Sequence, residues 1–346
     1  MIVNQSKIRN ILIIQLGGIG DVVLTTPVFP VLRNQFPQAQ IHFLTSSLLN
    51  KLFSRDPYLD EVLVYPTPRT ALFRIFRFFT KIRANQYDLV IDYQCTPGTA
   101  QLSWFSAARY RLGWKMKRRQ WAYNLFSEAN NSADYVALQK IKALKELGIN
   151  EKPGKLQIFL DKDDVNEVKK YFLKEDIHPH RFKINMTPVG QVQTRQWEID
   201  HYVTLAERLI EKYHATVFFS GKKEDQQKLR SLASQSQYEI KVLPVWPLPL
   251  FTAFLSQVDL HFSYDNGPKH LAIAVNTPTL SLFATDRPSL WNPLNDPNHP
   301  FLLAEVPCRY CRLTECRLMI CMKSIPPEKV INQIESIPAL RNKTRL

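Results

Sequence analysis

The stretch that most constrains the fold is Ile11 to Arg33, ILIIQLGGIGDVVLTTPVFPVLR. Its apolar opening reads as a strand buried on both faces, which a parallel sheet covered by helices accommodates. Its close carries apolar residues at helical spacing. The joint is Gly17-Gly18-Ile19-Gly20-Asp21, and its three glycines let the chain turn tightly and let another molecule approach the main chain. Asp21 then stands at the start of the following helix, facing the crevice beyond the carboxyl edge of the sheet. Three readings are open: a structural turn with Asp21 as helix cap, a dinucleotide loop, or a turn presenting a carboxylate to a hydroxyl as general base. The dinucleotide pattern fails on spacing, because the third glycine of G-x-G-x-x-G would fall on Val23. The next strand also ends in Thr45-Ser46-Ser47, with no acidic residue to hold a ribose.

The same alternation continues along the chain. Strands are expected at Ile41 to Leu44, Glu61 to Tyr65 and Asp88 to Tyr93, with helical patterns between them. A long amphipathic helix from Ala133 to Leu147 is closed by Gly148 as C-cap. The segment Asn150-Glu151-Lys152-Pro153-Gly154 is the best linker in the chain. The second half repeats the scheme, with strands at Phe182 to Met186, Thr216 to Ser220, Ile240 to Leu243, Leu260 to Ser263 and Thr279 to Phe283, and helices such as Asp200 to Lys212 and Lys223 to Ser234. A chain of 346 residues exceeds a typical single core, so the expected division is 1–150, 155–325 and a C-terminal helix and tail over 326–346. The fold class is α/β, with two doubly wound, Rossmann-like domains facing a central cleft.

The formal charge of +14 is unevenly placed: residues 1–160 hold 21 Lys+Arg against 10 Asp+Glu, the rest 24 against 21. The basic half therefore suits a nucleic acid, an anionic membrane face or a phosphorylated substrate, or is simply a solvated surface. No segment has the roughly 20 uninterrupted apolar residues of a transmembrane helix, and MIVNQSKIRN lacks the plan of a signal peptide, so a cytoplasmic protein is expected. In ALFRIFRFFTKIR, Ala71 to Arg83, the residues Leu72, Ile75, Phe76, Phe79 and Ile82 form one helical stripe, widened by Phe73 and Phe78. Arg74, Arg77 and Lys81 lie together on another face, so the helix either packs on the sheet or lies in a membrane interface. From Trp104 to Trp121 aromatic and basic residues interleave, and Lys117-Arg118-Arg119 in a loop could grip phosphates or carboxylates. Single-stranded nucleic acid would fit such interleaving, but no nucleic-acid module surrounds it, so nucleic acid is not an expected partner.

The counterpart of the opening is SYDNGPKHLAIAVNTPTLSLF, Ser263 to Phe283. A strand ends at Tyr264, Asp265-Asn266-Gly267-Pro268 turns, and a helix opens at Pro268 and runs to about Val275. Free N–H groups of its first turn suit a phosphate, and Asp265 and His270 could hold hydroxyls or phosphate oxygens. A capped turn with a surface histidine is the plainer reading. Near the end, Cys308, Cys311, Cys316 and Cys321 have the number of ligands for a structural zinc site but lack a second C-x2-C pair. Reduced thiols in a compact loop are the expected state, and no cofactor is expected.

These motifs in order resemble glycosyltransferase family 9, the heptosyltransferases of lipopolysaccharide core assembly. The resemblance rests on Gly20-Asp21 after a buried strand, Leu24-Thr25-Thr26-Pro27, Arg195-Gln196-Trp197, Asp265-x-Gly267-Pro268-x-His270-Leu271-Ala272 with Pro278 and Leu282-Phe283, and the cysteine cluster through Met322. It implies a GT-B fold, an N-terminal acceptor domain, a C-terminal donor domain and metal-independent inverting transfer from ADP-heptose. Asp21 matches the family's general base and Arg195 its usual lysine, which would face the departing diphosphate. Thr187 and Glu224 match positions that contact donor phosphate and ribose or sugar, and Asp265, Asn266, Gly267, Pro268 and His270 complete the donor set. Gly18, Gly20, Arg118 and Arg119 are the acceptor candidates. The acceptor so implied is an anionic lipopolysaccharide core, met at the inner membrane through Arg74, Arg77 and Lys81. Four departures bear on the donor sugar: Asn266 for Ser or Thr, Lys269 for Met, Arg195 for Lys, and Glu198 for Pro. Another nucleotide-sugar donor, or a non-catalytic protein binding anionic glycolipid or nucleic acid, are the competing readings.

Overall fold

The computed structural model describes residues 3–66, 72–152, 154–190, 192–293, 295–308, 310–311 and 313–344, apart from the side chains of Leu72 and Thr344. Ala71, Arg309 and Arg312 therefore lie outside the described residues. The chain divides into two compact units between Phe159 and Leu160. After Gly154 the backbone stays with the first unit: Leu156 and Ile158 are buried, and the Gln157 N–H donates to Thr26 Oγ1 at 3.1 Å.

The first unit is built on six strands, β1 (Asn10–Ile14), β2 (Gln40–Thr45), β3 (Glu61–Val64), β4 (Leu89–Asp92), β5 (Tyr110–Trp114) and β6 (Leu125–Ser127). They form one parallel sheet in the order β3-β2-β1-β4-β5-β6. The second unit has β7 (Lys183–Met186), β8 (Thr216–Phe219), β9 (Lys241–Val242), β10 (Leu260–Tyr264), β11 (Thr279–Phe283) and β12 (Phe301–Leu303). Its sheet is also parallel, in the order β12-β11-β10-β7-β8-β9. Counted from its own first strand and read from β9, this is the same order, 3-2-1-4-5-6, that doubly wound nucleotide-binding folds adopt. All strands run the same way, but the direction in which successive strands are added reverses between β1 and β4 and between β7 and β10. Ligands of such sheets bind outside the carboxyl ends at that reversal.

The central strands follow from their composition. Ile11, Leu12, Ile13 and Ile14 are all fully buried, as a strand covered on both faces requires. The edge strand β9 is two residues long and carries Lys241, which pairs with Glu175 at 3.2 Å and blunts further strand pairing. The C-terminal helix Pro327–Ser336 packs into the second core through Val330 and Ile334, followed by Ile337 and Leu340. Residues after 325 therefore share the core of the second unit.

Two local expectations change. The helix expected from Ala133 begins at Val136 and runs to Ala143, followed by a 3-10 turn Leu144–Leu147 and Gly148 at φ 76°. The start is delayed because Gln139 Nε2 donates to the carbonyls of Ser132 and Asp134 and fixes that backbone in a turn. The interleaved stretch Trp104 to Trp121 contains β5, where Arg111 turns inward and donates to the carbonyls of Ala108 and Ala122.

Candidate functional site

In the first unit the chain leaves β1 at Ile14, buries Gln15, and turns through the glycines into the short helix Ile19–Val23 with Gly18 as N-cap. Asp21 sits half-buried in its first turn. A Cβ on Gly17 would stand 2.9 Å from Asp21 Oδ2 and 3.1 Å from Asp21 Cβ, so only glycine lets the carboxylate fold back over the turn. Among the described residues no hydrogen bond or ion pair takes that carboxylate. The turn is instead held from behind. Lys140, from helix Val136–Ala143, donates to the Asp21 carbonyl at 2.6 Å, Thr25 Oγ1 at 2.7 Å and Gln15 Oε1 at 3.0 Å. Gln15 Nε2 in turn donates to Gln94 Oε1 at 2.7 Å, just beyond β4, and the Leu16 N–H donates to the same oxygen. Asp21 and Gln94 thus flank the reversal between β1 and β4. Burial lowers the Lys140 pKa to about 7, against the attraction of Asp21.

The basic candidates divide. The segment after β5, at the same sheet edge, carries Lys117 and Arg118 exposed to solvent. Arg119 turns back, donating to the Cys95 carbonyl at 2.7 Å, and Lys115 pairs with Glu128. Helix Leu72–Ala84 buries Ile82 and half-buries Ile75, Phe78 and Phe79. Phe76 belongs outside this stripe: it is 63% exposed and Phe73 is 73% exposed, beside the exposed Arg74 and Arg77. The packed side is shifted towards Phe78, 100° from Phe79 on the helix, which packs against Tyr65 with ring centroids 5.9 Å apart. Lys81 pairs with Glu61 at 3.1 Å.

In the second unit Thr187 follows β7, its Oγ1 3.3 Å from Ser220 Oγ. Asp265 follows β10, across the matching reversal. Asn266 is the N-cap of helix Gly267–Ala274, its Oδ1 accepting from the Lys269 N–H at 3.1 Å, so Pro268 is the second helical residue and not the first. The Lys269 ammonium is fully buried, 2.5 Å from Asp265 Oδ1 and 2.8 Å from the Trp291 carbonyl, above the Phe283 ring. His270 is also buried, with Nε2 3.8 Å from Asp265 Oδ1, which removes the surface-histidine reading. Arg195 ends the 3-10 turn Gln193–Arg195 and pairs with Asp286 at 2.7 Å, beyond the end of β11. Tyr264 braces the loop between them. Its hydroxyl donates to the Val189 carbonyl at 3.2 Å and fills the space where a Gly190 Cβ would stand 1.5 Å away. Glu224 lies exposed in the turn Lys223–Asp225 after β8.

Sequence reasoning missed Lys140, Asp286 and Tyr264. Lys140 had a signal: with Ala137, Ile141 and Leu144 it holds the i, i+3, i+4, i+7 positions of a buried face, where an unpaired lysine does not belong. Asp286 had none, being joined to Arg195 only by the fold.

Cys308 and Cys311 are exposed, Cys316 half-buried and Cys321 buried. Among the described residues no three His, Cys, Asp or Glu side chains are gathered as a metal-binding group.

The sequence model of glycosyltransferase family 9 (heptosyltransferase) matches residues 75–321, spanning most of both units. The chain belongs to glycosyltransferase family 9. It is 29% identical over 303 residues to lipooligosaccharide heptosyltransferase 2 of Haemophilus ducreyi, covering 82% of this chain and 86% of that one. Its fold matches the family 9 glycosyltransferase of Veillonella parvula with a TM-score of 0.84 at 18% identity, over 96% and 97% of the two chains. The E. coli ADP-heptose LPS heptosyltransferase II superposes with a TM-score of 0.75 at 16% identity, over 96% and 99%. The chain is thus a family 9 glycosyltransferase of α/β, GT-B class, in which each of the two sheets is doubly wound. Asp21 precedes the span that the family model matches.

Proposed function

We propose that this chain transfers a heptose from ADP-heptose to an anionic lipopolysaccharide-core acceptor, inverting the anomeric centre without a metal ion. The observation that carries this reading is Asp21, a carboxylate unclaimed among the described residues, standing on a glycine turn at the reversal of the first sheet. The acceptor hydroxyl gives its proton to that carboxylate while its oxygen attacks the anomeric carbon. The bond from that carbon to the diphosphate oxygen breaks as the new one forms, and ADP leaves with the electron pair. Arg195 and the positive N-terminal end of helix Gly267–Ala274 stabilise the charge that grows on the diphosphate. Thr187, Glu224, Asp265, Asn266 and His270 complete the donor site. Gly18, Gly20 and the exposed Arg118 face the acceptor, with Arg119 tying the Arg118 loop to the Cys95 carbonyl, which makes the first unit the acceptor domain and the second the donor domain.

The working place proposed is the cytoplasmic face of the inner membrane. Phe73 and Phe76 are exposed beside Arg74 and Arg77 on a helix that starts at the carboxyl edge of the first sheet, the edge that bears Asp21. No described helix is long and apolar enough to cross a membrane.

The decisive experiment is ADP release by purified protein given ADP-heptose, with and without truncated lipopolysaccharide acceptors, beside UDP- and GDP-sugars. Acceptor-dependent release from ADP-heptose is expected. Release from another nucleotide sugar alone would keep the chemistry and overturn the heptose.

A further inference from the structure

A fully buried ammonium behind a catalytic turn asks for an explanation beyond packing. Isolated charges are expelled from protein interiors unless every donor is satisfied. Lys140 meets that condition with three acceptors, one for each ammonium proton: Gln15 Oε1, the Asp21 carbonyl and Thr25 Oγ1. These three residues bracket Gly17-Gly18-Ile19-Gly20 from both sides. The glycines that let Asp21 fold back also leave this backbone with more freedom than any other sequence would, and the helix they open has only five residues, Ile19–Val23. A turn of that kind does not hold a side chain in place unaided.

Lys140 itself is immobilised. The Tyr93 hydroxyl donates to its carbonyl at 2.8 Å, and the Tyr93 ring lies 5.6 Å from its ammonium. Gln15 passes the restraint on to Gln94 and the Leu16 N–H, so β1, β4 and helix Val136–Ala143 converge on one turn. The bond to Asp21 goes to its carbonyl and not to its carboxylate, which fixes the residue without occupying the reacting group.

We propose that Lys140 is the positioning residue for Asp21, clamping the glycine turn at both ends so that the base stands ready for the acceptor hydroxyl. This rests on the base role given to Asp21 above. Burial, which depresses the ammonium's pKa, is a cost that a packing role alone would avoid with methionine.

The test compares Lys140→Met and Thr25→Val with wild type in two measurements. The first is amide hydrogen exchange over residues 15–25, which needs no substrate. Faster exchange there, with the second unit unchanged, is expected in both variants, the smaller increase in Thr25→Val. The second is steady-state transfer: kcat should fall about 100-fold in Lys140→Met, the usual consequence of a base displaced by about 1 Å, and a few-fold in Thr25→Val. Donor KM should stay within about threefold, a split that a general loss of structure would not give. Unchanged exchange over the turn overturns the clamp, as does a kcat of Lys140→Met within twofold of wild type. Should Lys140→Met fail to fold, Thr25→Val, which buries no new charge, carries the same two criteria. A wild-type protein that transfers no sugar, or an Asp21→Asn variant that keeps its turnover, would sink the functional reading separately, and the exchange measurement would still decide the clamp.

Discussion

The two units share a strand order and place an aspartate and a buried lysine at the same topological point, yet they wire the pair in opposite ways. In the first, Lys140 bonds the backbone carbonyl of Asp21 at 2.6 Å and leaves the carboxylate unclaimed among the described residues. In the second, Lys269 bonds the carboxylate of Asp265 itself at 2.5 Å, and Asp286 is likewise taken by Arg195 at 2.7 Å. A general base must keep a reactive lone pair, whereas a pocket for a diphosphate must not present bare negative charge to it. On the proposed roles, one scaffold serves two tasks through the choice of which oxygen a lysine holds.

The most forceful way to break this comparison is to neutralise each aspartate. Asp21→Asn should cost about 10³ in kcat, within the range for removing a general base, while donor affinity and the melting temperature hold. Asp265→Asn should instead act first on stability, any loss of donor affinity being a consequence. It strands the buried Lys269 ammonium, which costs about 3–5 kcal/mol of stability in chemical denaturation. The double variant Asp265→Asn with Lys269→Met should recover most of that loss, because removing both charges removes the uncompensated one. If Asp21→Asn were the destabilised variant and Asp265→Asn the folded, inactive one, the division of labour would be inverted.

How much of this was legible beforehand depended on whether the sequence signal was local. The run Ile11 to Ile14 announces its strand because both faces are covered and no polar residue marks an exposed side, and Thr279 to Phe283 does so although Thr279 and Ser281 alternate with its apolar residues, all five being buried. The strand β5 stayed hidden because Arg111 and Trp114 break the apolar pattern, and only the fold shows Arg111 spending its donors on carbonyls of its own loop. The aspartates were found through their turns. Their partners were not, since Lys140 lies 119 residues from Asp21 and spacing carries no information across such a distance. Lys269 was noticed as a departure at its position, but its ion pair with Asp265 needed the helix geometry that places i and i+4 together.

The pH dependence of stability should separate the units by a smaller margin. The pKa of Lys140 falls on folding from 10.5 to about 7, so between those values the unfolded chain holds more protons. Stability should therefore rise with pH across that window, by at most about 1.4 kcal/mol per pH unit. Lys140→Met should flatten the rise. His261, buried against Asn185 in the second sheet, is lowered from 6.5 to about 3 by burial and by Lys269. Its contribution is complete above pH 6.5 and is lost as the pH falls towards 3. Calorimetry from pH 4 to 10 should show an acid limb that Lys140→Met leaves intact and an alkaline limb that it removes; loss of both together would mean that the two units do not titrate independently.

The smallest effect tests whether the first unit meets its acceptor at a surface. Phe73 and Phe76 project beside Arg74 and Arg77, whereas Lys81, one turn further on, is already paired with Glu61 at 3.1 Å. Arg74→Gln and Arg77→Gln should each weaken binding to vesicles containing anionic lipid about fivefold, corresponding to roughly 1 kcal/mol per basic residue near such a surface. Lys81→Gln should matter less, because its charge is partly spent within the protein. Phe73→Ser should weaken binding at any salt concentration, while the arginine effects should fade as salt screens them. None of these changes should alter kcat on a soluble, truncated acceptor if, as proposed, the helix acts on encounter and Asp21 on chemistry. Equal losses at all three basic positions would mean that the helix contributes only net charge and that its aromatic end has no part in docking.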